Sequence, residues 1–209
     1  MATVVVGGHS RSVGKTSVVA GLIAALREYD WTAVKITQFG HGVCSVNGES
    51  CECAMDEHMW SVWEEKDTAS GKDTARYLAS GAKRSLWVRT KQGRLAEAMP
   101  DLRRELAGTS NPGNVIIESN SVLRFLRPDL YLTVLDPNTA DFKDSAREYL
   151  DRADAVILHA GNDSAQWERV SLKPVEGVPV FEIKPPEYVT SEVVAFVRQR
   201  MEKMEKANA

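Results

Sequence analysis

Three cysteines are all that this chain of 209 residues carries, and Cys44, Cys51 and Cys53 fall within ten positions. A dispersed disulfide framework is thereby excluded. Strong charge of either sign is also missing. Against 29 Asp and Glu stand 26 Lys and Arg, a net charge of -3, so neither non-specific nucleic-acid binding nor attraction to an anionic membrane is expected. No apolar run approaches the length that spans a bilayer. The N-terminus enters a strand-like stretch without the basic and apolar regions of a leader. These absences point to a cytoplasmic protein. Neither a Pro/Gly linker nor an internal repeat divides the chain. What is present, 43% hydrophobic and 26% charged residues, is ordinary for a globular protein, with length enough for one domain and a real core.

Apolar β-rich runs alternate with helical patterns. Strands are predicted at 3–7, 32–37, 85–90, 114–119, 130–136, 155–160 and 178–183. Helices are predicted over 15–28, over 72–82 with Gly81 closing it, and over 191–206 with Val193, Val197 and Met204 on one face. Leu95, Met99, Leu102 and Leu106 also recur at helical spacing. Pro100 inside that pattern predicts a kink or two short helices. The alternation implies an α/β fold, a single doubly wound domain with a mostly parallel sheet of about seven strands and helices on both faces. Residues 38–71 form a long polar insertion, and connections of that length are uncommon and often functional.

The stretch GGHSRSVGKTS, 7–17, ends like a phosphate-binding loop. The strict pattern G-x-x-x-x-G-K-[ST] asks for glycine at position 9. His9 stands there, and Gly8 is one residue early. The context is nevertheless right: a strand ends in glycines, a loop follows, and a helix starts at Gly14 or Lys15. Amides at a helix start have no intrahelical partner, and the helix dipole favours an anion there. The backbone of Arg11, Ser12, Val13, Gly14, Lys15, Thr16 and Ser17 is therefore the expected phosphate cradle. Lys15 supplies a positive charge for the β and γ phosphates, and the Thr16 hydroxyl a ligand for Mg²⁺.

A second signal is VIIES, an apolar strand ending in Glu118. A carboxylate at the C-terminal edge of a strand near the first is placed to bind Mg²⁺ or to orient an attacking water. Lys35, Lys72 and Arg76 are candidate phosphate contacts, with Lys35 ranked first. Neither ATP nor GTP is selected, because N-K-x-D is missing after the late strands. His159, Asn162, Asp163 and the 183–188 loop are candidates for the base side.

The loop resembles the G-T-D-T-x-V-G-K-T loop of dethiobiotin synthetases, which also has five residues between its glycines. Gly8, Val13, Gly14, Lys15 and Thr16 match it. A longer resemblance, over about 3–120, is to the molybdopterin-guanine dinucleotide biosynthesis protein B (MobB) family of P-loop NTPases. VKITQFGHG (34–42) and GKDTARYLASGA (71–82) follow its strand and helix motifs through Lys35, Gly71, Lys72, Asp73, Thr74, Arg76, Gly81 and Ala82. The family's K-H is Lys35-Ile36 here, and its E-G is Glu118-Ser119. This resemblance implies Mg²⁺-dependent binding and slow hydrolysis of GTP or ATP, in an accessory role in molybdenum cofactor dinucleotide synthesis. It also implies that Asp73 contacts Mg²⁺ or substrate, and that the protein serves a cofactor-biosynthesis enzyme, as a possible homodimer. Two alternatives stand beside it: an ATP-dependent small-molecule kinase or ligase of the dethiobiotin synthetase kind, and a nucleotide-switched metal-binding accessory protein.

The cysteines bear on that last alternative. Cys44, Cys51 and Cys53 with His58 or His41 would make a Cys3His set for Zn²⁺. An iron–sulfur cluster or Cu(I) also suits three thiolates. The MobB pattern has histidines rather than cysteines in this loop.

Overall fold

The computed structural model describes residues 1–40, 59–108, 113–161, 167 and 170–208. Its elements in chain order are β1 (Thr3–Gly8), α1 (Lys15–Ala25), β2 (Thr32–Phe39), β3 (Trp60–Glu64), α2 (Asp73–Ala79), β4 (Arg84–Lys91), α3 (Leu95–Ala107), β5 (Val115–Glu118), β6 (Leu130–Leu135), α4 (Asp144–Arg147), β7 (Ala155–His159), β8 (Val180–Ile183) and α5 (Ser191–Asn208). All eight strands join one sheet, in the order β3-β4-β2-β5-β1-β6-β7-β8. Every pairing is parallel except β3 with β4. This is the doubly wound α/β architecture expected from the alternation of β and helical patterns.

The strand sequences explain the two-sided cover. In β1, Val4 and Val6 enter one core while Val5 enters the other. In β5, Ile116 faces the first core, and Val115 and Ile117 the second. A strand buried on both faces reads as a continuous apolar run, and alternate residues serve opposite layers. The first core is closed by Val18, Val19, Leu22 and Ile23 of α1 and by Val193, Val197 and Met201 of α5. Met204 packs at its margin. The second core is closed by Leu95, Ala98, Met99 and Leu102 of α3.

Three sequence expectations are corrected. The 38–71 insertion is not without structure: β3 lies inside it and gives the sheet its antiparallel edge, an eighth strand. WSVWE alternates, with Trp60 and Val62 packed on the second core and Ser61 and Trp63 facing outward, but five residues between polar flanks are a weak signal. Pro100 does not divide α3, which runs unbroken from Leu95 to Ala107. Ala96, whose carbonyl loses its donor four residues on, is exposed together with Pro100, so water can take the place of the missing N–H. The first helix ends at Ala25, and 27–29 tightens to a 3-10 turn.

Candidate functional site

The site is built where β1 meets α1. Asn120, two residues beyond the end of β5, grips the end of β1: its Oδ1 accepts from Gly8 N at 2.9 Å and its Nδ2 donates to Gly8 O at 2.8 Å. That approach requires glycine at position 7, where a Cβ would lie 2.2 Å from Asn120 Oδ1. The loop then turns through two left-handed residues, Ser12 at φ 56° and Gly14 at φ 87°. Glycine tolerates this conformation and serine adopts it rarely. Between them Val13 is buried in the first core and pins the loop to the sheet. His159 Nε2 donates to Val13 O at 3.0 Å, and Tyr188 lies 2.3 Å from where a Gly14 Cβ would stand. The first turn of α1 holds no acidic residue, so nothing in it neutralises the positive helix end.

His9 fills the position where the strict motif has glycine, and it is fully buried. Asp136 N–H donates to its Nε2 at 3.0 Å, so Nε2 carries no proton and Nδ1–H donates to Asp141 O at 2.7 Å. The ring packs against Phe142 and Trp167 at centroid distances of 5.1 and 5.0 Å. Burial holds its pKa below the ordinary histidine value, against the pull of the Asp141 hydrogen bond and the Asp136 charge. His9 O accepts from Lys143 N at 2.8 Å, and Ser10 Oγ donates to Asp141 Oδ2 at 2.6 Å. The residue that breaks the motif therefore locks the loop to the segment after β6.

An open cleft of about 830 Å³ lies over this loop, lined by Lys15, Thr16, Lys35, Asp73, Glu118 and Lys143 among others. Lys15 Nζ donates to Ser10 O, folding back over the loop. Burial lowers its pKa to about 8, although Glu118 works the other way. Lys143 is likewise lowered to about 8, by burial and then by the charges of Lys15 and Arg11. Two lysines depressed by desolvation and by neighbouring positive charge make a cleft that favours an anion.

Beneath the loop three groups meet on Glu118. Thr16 Oγ1 donates to its Oε2 at 2.8 Å, and Tyr77 OH donates to the same oxygen. Lys35 Nζ pairs with Oε1, reaches Asp73 Oδ2 at 2.9 Å and donates to Thr16 Oγ1 at 3.3 Å. Burial alone would raise the Glu118 pKa, but the Lys35 and Lys15 charges outweigh it and hold the carboxyl below its ordinary value. In the same way burial opposes the Lys35 charge, and the carboxylates of Glu118 and Asp73 overcome it and raise its pKa. Burial, followed by the Glu118 charge, pushes the Tyr77 phenol well above its usual range. The oxygens of Thr16, Asp73 and Glu118 thus converge on one cation, and such hard oxygen donors suit Mg²⁺.

The structure gathers Arg11, Ser12, Gly14, Lys15, Thr16, Ser17, Lys35, Asp73, Arg76 and Glu118 around one cleft. Arg76 Nη2 donates to Ser17 Oγ at 3.1 Å. Lys35 does not point at open space; it is paired with two acids. Lys72 stands apart from the cleft, its Nζ 4.7 Å from the Trp63 ring centre and 5.9 Å from that of Trp87. Asn162, Asp163 and the proposed Zn²⁺ ligands Cys44, Cys51, Cys53, His58 and His41 lie outside the described residues. Among the described residues there is no cluster of three His, Cys, Asp or Glu that could hold a metal, and no helix long and apolar enough to cross a membrane.

Tyr188, from the 183–188 loop singled out in the sequence, lines the cleft. Tyr77, Asn120 and Lys143 were not legible as site residues. Of these, only Asn120 carried a signal, two positions after the acid of an apolar strand. Tyr77 and Lys143 reach the site through strand order and loop packing.

No protein-family model and no curated protein matches the sequence. Several solved structures are similar in fold at low identity. HypB from Helicobacter pylori in complex with nickel is 14% identical, with 98% of this chain and 87% of that one covered and a TM-score of 0.48. The Zn(II)-bound YjiA GTPase from E. coli is 13% identical, with 93% of this chain and 60% of that one covered and a TM-score of 0.46. MobB from Bacillus subtilis is 16% identical, with 96% and 98% covered and a TM-score of 0.35.

Proposed function

We propose that the protein is a Mg²⁺-dependent nucleoside triphosphatase of the P-loop class, binding ATP or GTP. The observation that carries this reading is the Thr16–Glu118 contact of 2.8 Å beneath a loop whose Gly14 is left-handed and followed by Lys15. Amides of 11–16 and the Lys15 ammonium hold the β and γ phosphates. Thr16 with Glu118 and Asp73 holds Mg²⁺, which when bound neutralises charge on the transferring phosphoryl group. Glu118, freed from part of its network, would also be placed to orient the attacking water.

Replacing Lys15 with alanine tests the assignment. A charge-assisted hydrogen bond contributes about 1.5–3 kcal/mol, so affinity for labelled ATP or GTP should fall by about tenfold to a hundredfold. Unchanged affinity would refute the reading.

The motif match through Lys35, Gly71, Asp73 and Arg76 supports an accessory role in assembling molybdopterin guanine dinucleotide, beside a cofactor-biosynthesis enzyme and as a homodimer. Loss of the gene should then lower the content of that dinucleotide in the cell. One feature favours the kinase or ligase alternative. Trp63, 42% exposed, and Trp87 carry Lys72 on their faces, and Trp87 Nε1 donates at 2.8 Å to Thr37, which lines the cleft. A cationic, aromatic-backed surface joined to the cleft through Thr37 suits an anionic acceptor. Acceptor-stimulated nucleotide turnover would decide for it.

A further inference from the structure

Lys35 and Glu118 are register partners on the adjacent parallel strands β2 and β5. Glu118 is buried, and Asp73 stands at the start of α2 on the other side of the ammonium. The Lys35 nitrogen touches an oxygen of Thr16, of Asp73 and of Glu118. These are the three groups that the proposed nucleotide reading assigns to the divalent metal, so the inference rests on that reading. Two carboxylates this close to each other, one of them buried, need a neutralising cation. A lysine ammonium and a divalent ion cannot both sit within contact distance of the same oxygens without severe repulsion.

We propose that Lys35 is a tethered cation that occupies the divalent-metal position in the free protein and is displaced from it when a metal–nucleotide complex enters. In the free protein the ammonium holds Glu118 and Asp73 in place while excluding metal. On loading, the metal takes over the three oxygens. The four-carbon stem, rooted in the strand, then carries the ammonium into the rest of the cleft, where the terminal phosphate is the nearest strong anion. Metal binding is thereby coupled to nucleotide binding, and a positive charge reaches the phosphate only in the loaded state. A lysine suits this because its charge is a compact point on a flexible stem.

The test is titration with Mn²⁺, read by electron paramagnetic resonance, in the absence of nucleotide. Wild type should bind Mn²⁺ weakly. Lys35→Met should bind it about tenfold or more tightly, and Lys35→Arg, which keeps the charge, should resemble wild type. The melting temperature of Lys35→Met, lowered in chelator, should recover with Mn²⁺ alone, and wild type should not respond. Should Lys35→Met fold only with Mn²⁺ present, that result also supports the proposal. Mn²⁺ affinity in Lys35→Met no greater than in wild type, or a variant that Mn²⁺ fails to restore, overturns it. Binding of labelled ATP and GTP to wild type in the presence of Mg²⁺ is the separate arm. Nucleotide binding without the gain in Mn²⁺ affinity sinks the place-holder alone, whereas absence of nucleotide binding sinks the reading beneath it.

Discussion

His9 occupies the position where a strict phosphate-loop motif has glycine, and it carries the loop's attachment to the segment after β6. Restoring the motif by His9→Gly should therefore damage the protein. The change empties a buried ring site and leaves Asp136 N–H and Asp141 C=O without partners, a loss of about 3 kcal/mol, measurable by urea denaturation. Lys15 and Lys143 supply a second expectation at this scale. Both have pKa values of about 8 in the free protein. A bound polyphosphate stabilises their charged forms and raises those values. Below pH 8 both are already charged in either state, so binding takes up little proton from them. As pH rises through 8 the free protein loses protons that the complex retains, so binding takes up protons and affinity falls. Calorimetry in buffers of different ionisation enthalpy will detect that uptake; affinity independent of pH between 7 and 9 would count against it.

Secondary-structure elements contribute unequally to the site. β1 and β5 deliver Gly8 and Glu118 at their C-terminal ends, the edge at which ligands bind in open α/β sheets, and β2 delivers Lys35 from mid-strand, in register with Glu118. α2 brings Asp73 and Tyr77 from the side, and α3 covers the opposite face of the sheet. Pro100 lies inside α3, with Ala96 and Pro100 both exposed. Pro100→Ala restores the missing N–H with no buried neighbour to disturb. It should stabilise the fold by about 1–2 kcal/mol, the intrinsic helix penalty of proline less its restriction of the unfolded chain. Thermal denaturation should show this gain with nucleotide affinity unchanged.

Across the whole molecule, the β5–Asn120 segment, the segment after β6 and the Tyr188 segment all converge on the loop between β1 and α1, the proposed phosphate cradle. A ligand held there braces elements far apart in sequence. ATP or GTP with Mg²⁺ at a hundred times its dissociation constant adds about 2.7 kcal/mol to stability. For a chain of this size the melting temperature should rise by about 5–10 °C. No shift with either nucleotide would argue against a nucleotide site.

The sequence by itself determined what is local along the chain. A run of valines closed by two glycines makes a buried strand that must turn. Gly14-Lys15-Thr16 then opens a helix, and its free amides and lysine, drawn from consecutive residues, are the proposed anion site. Glu118, at the end of an apolar strand, was legible for the same reason. Only the tertiary structure decided the rest, because it depends on which strands lie side by side. The order β2-β5-β1 sets Lys35 against Glu118 and places both beneath Thr16, although more than eighty positions separate Lys35 from Glu118 in the chain. Periodicity implies a parallel sheet but does not encode strand order. The pairing of an ammonium with a buried carboxylate, and the histidine that substitutes hydrogen bonds for a glycine turn, arise from that order.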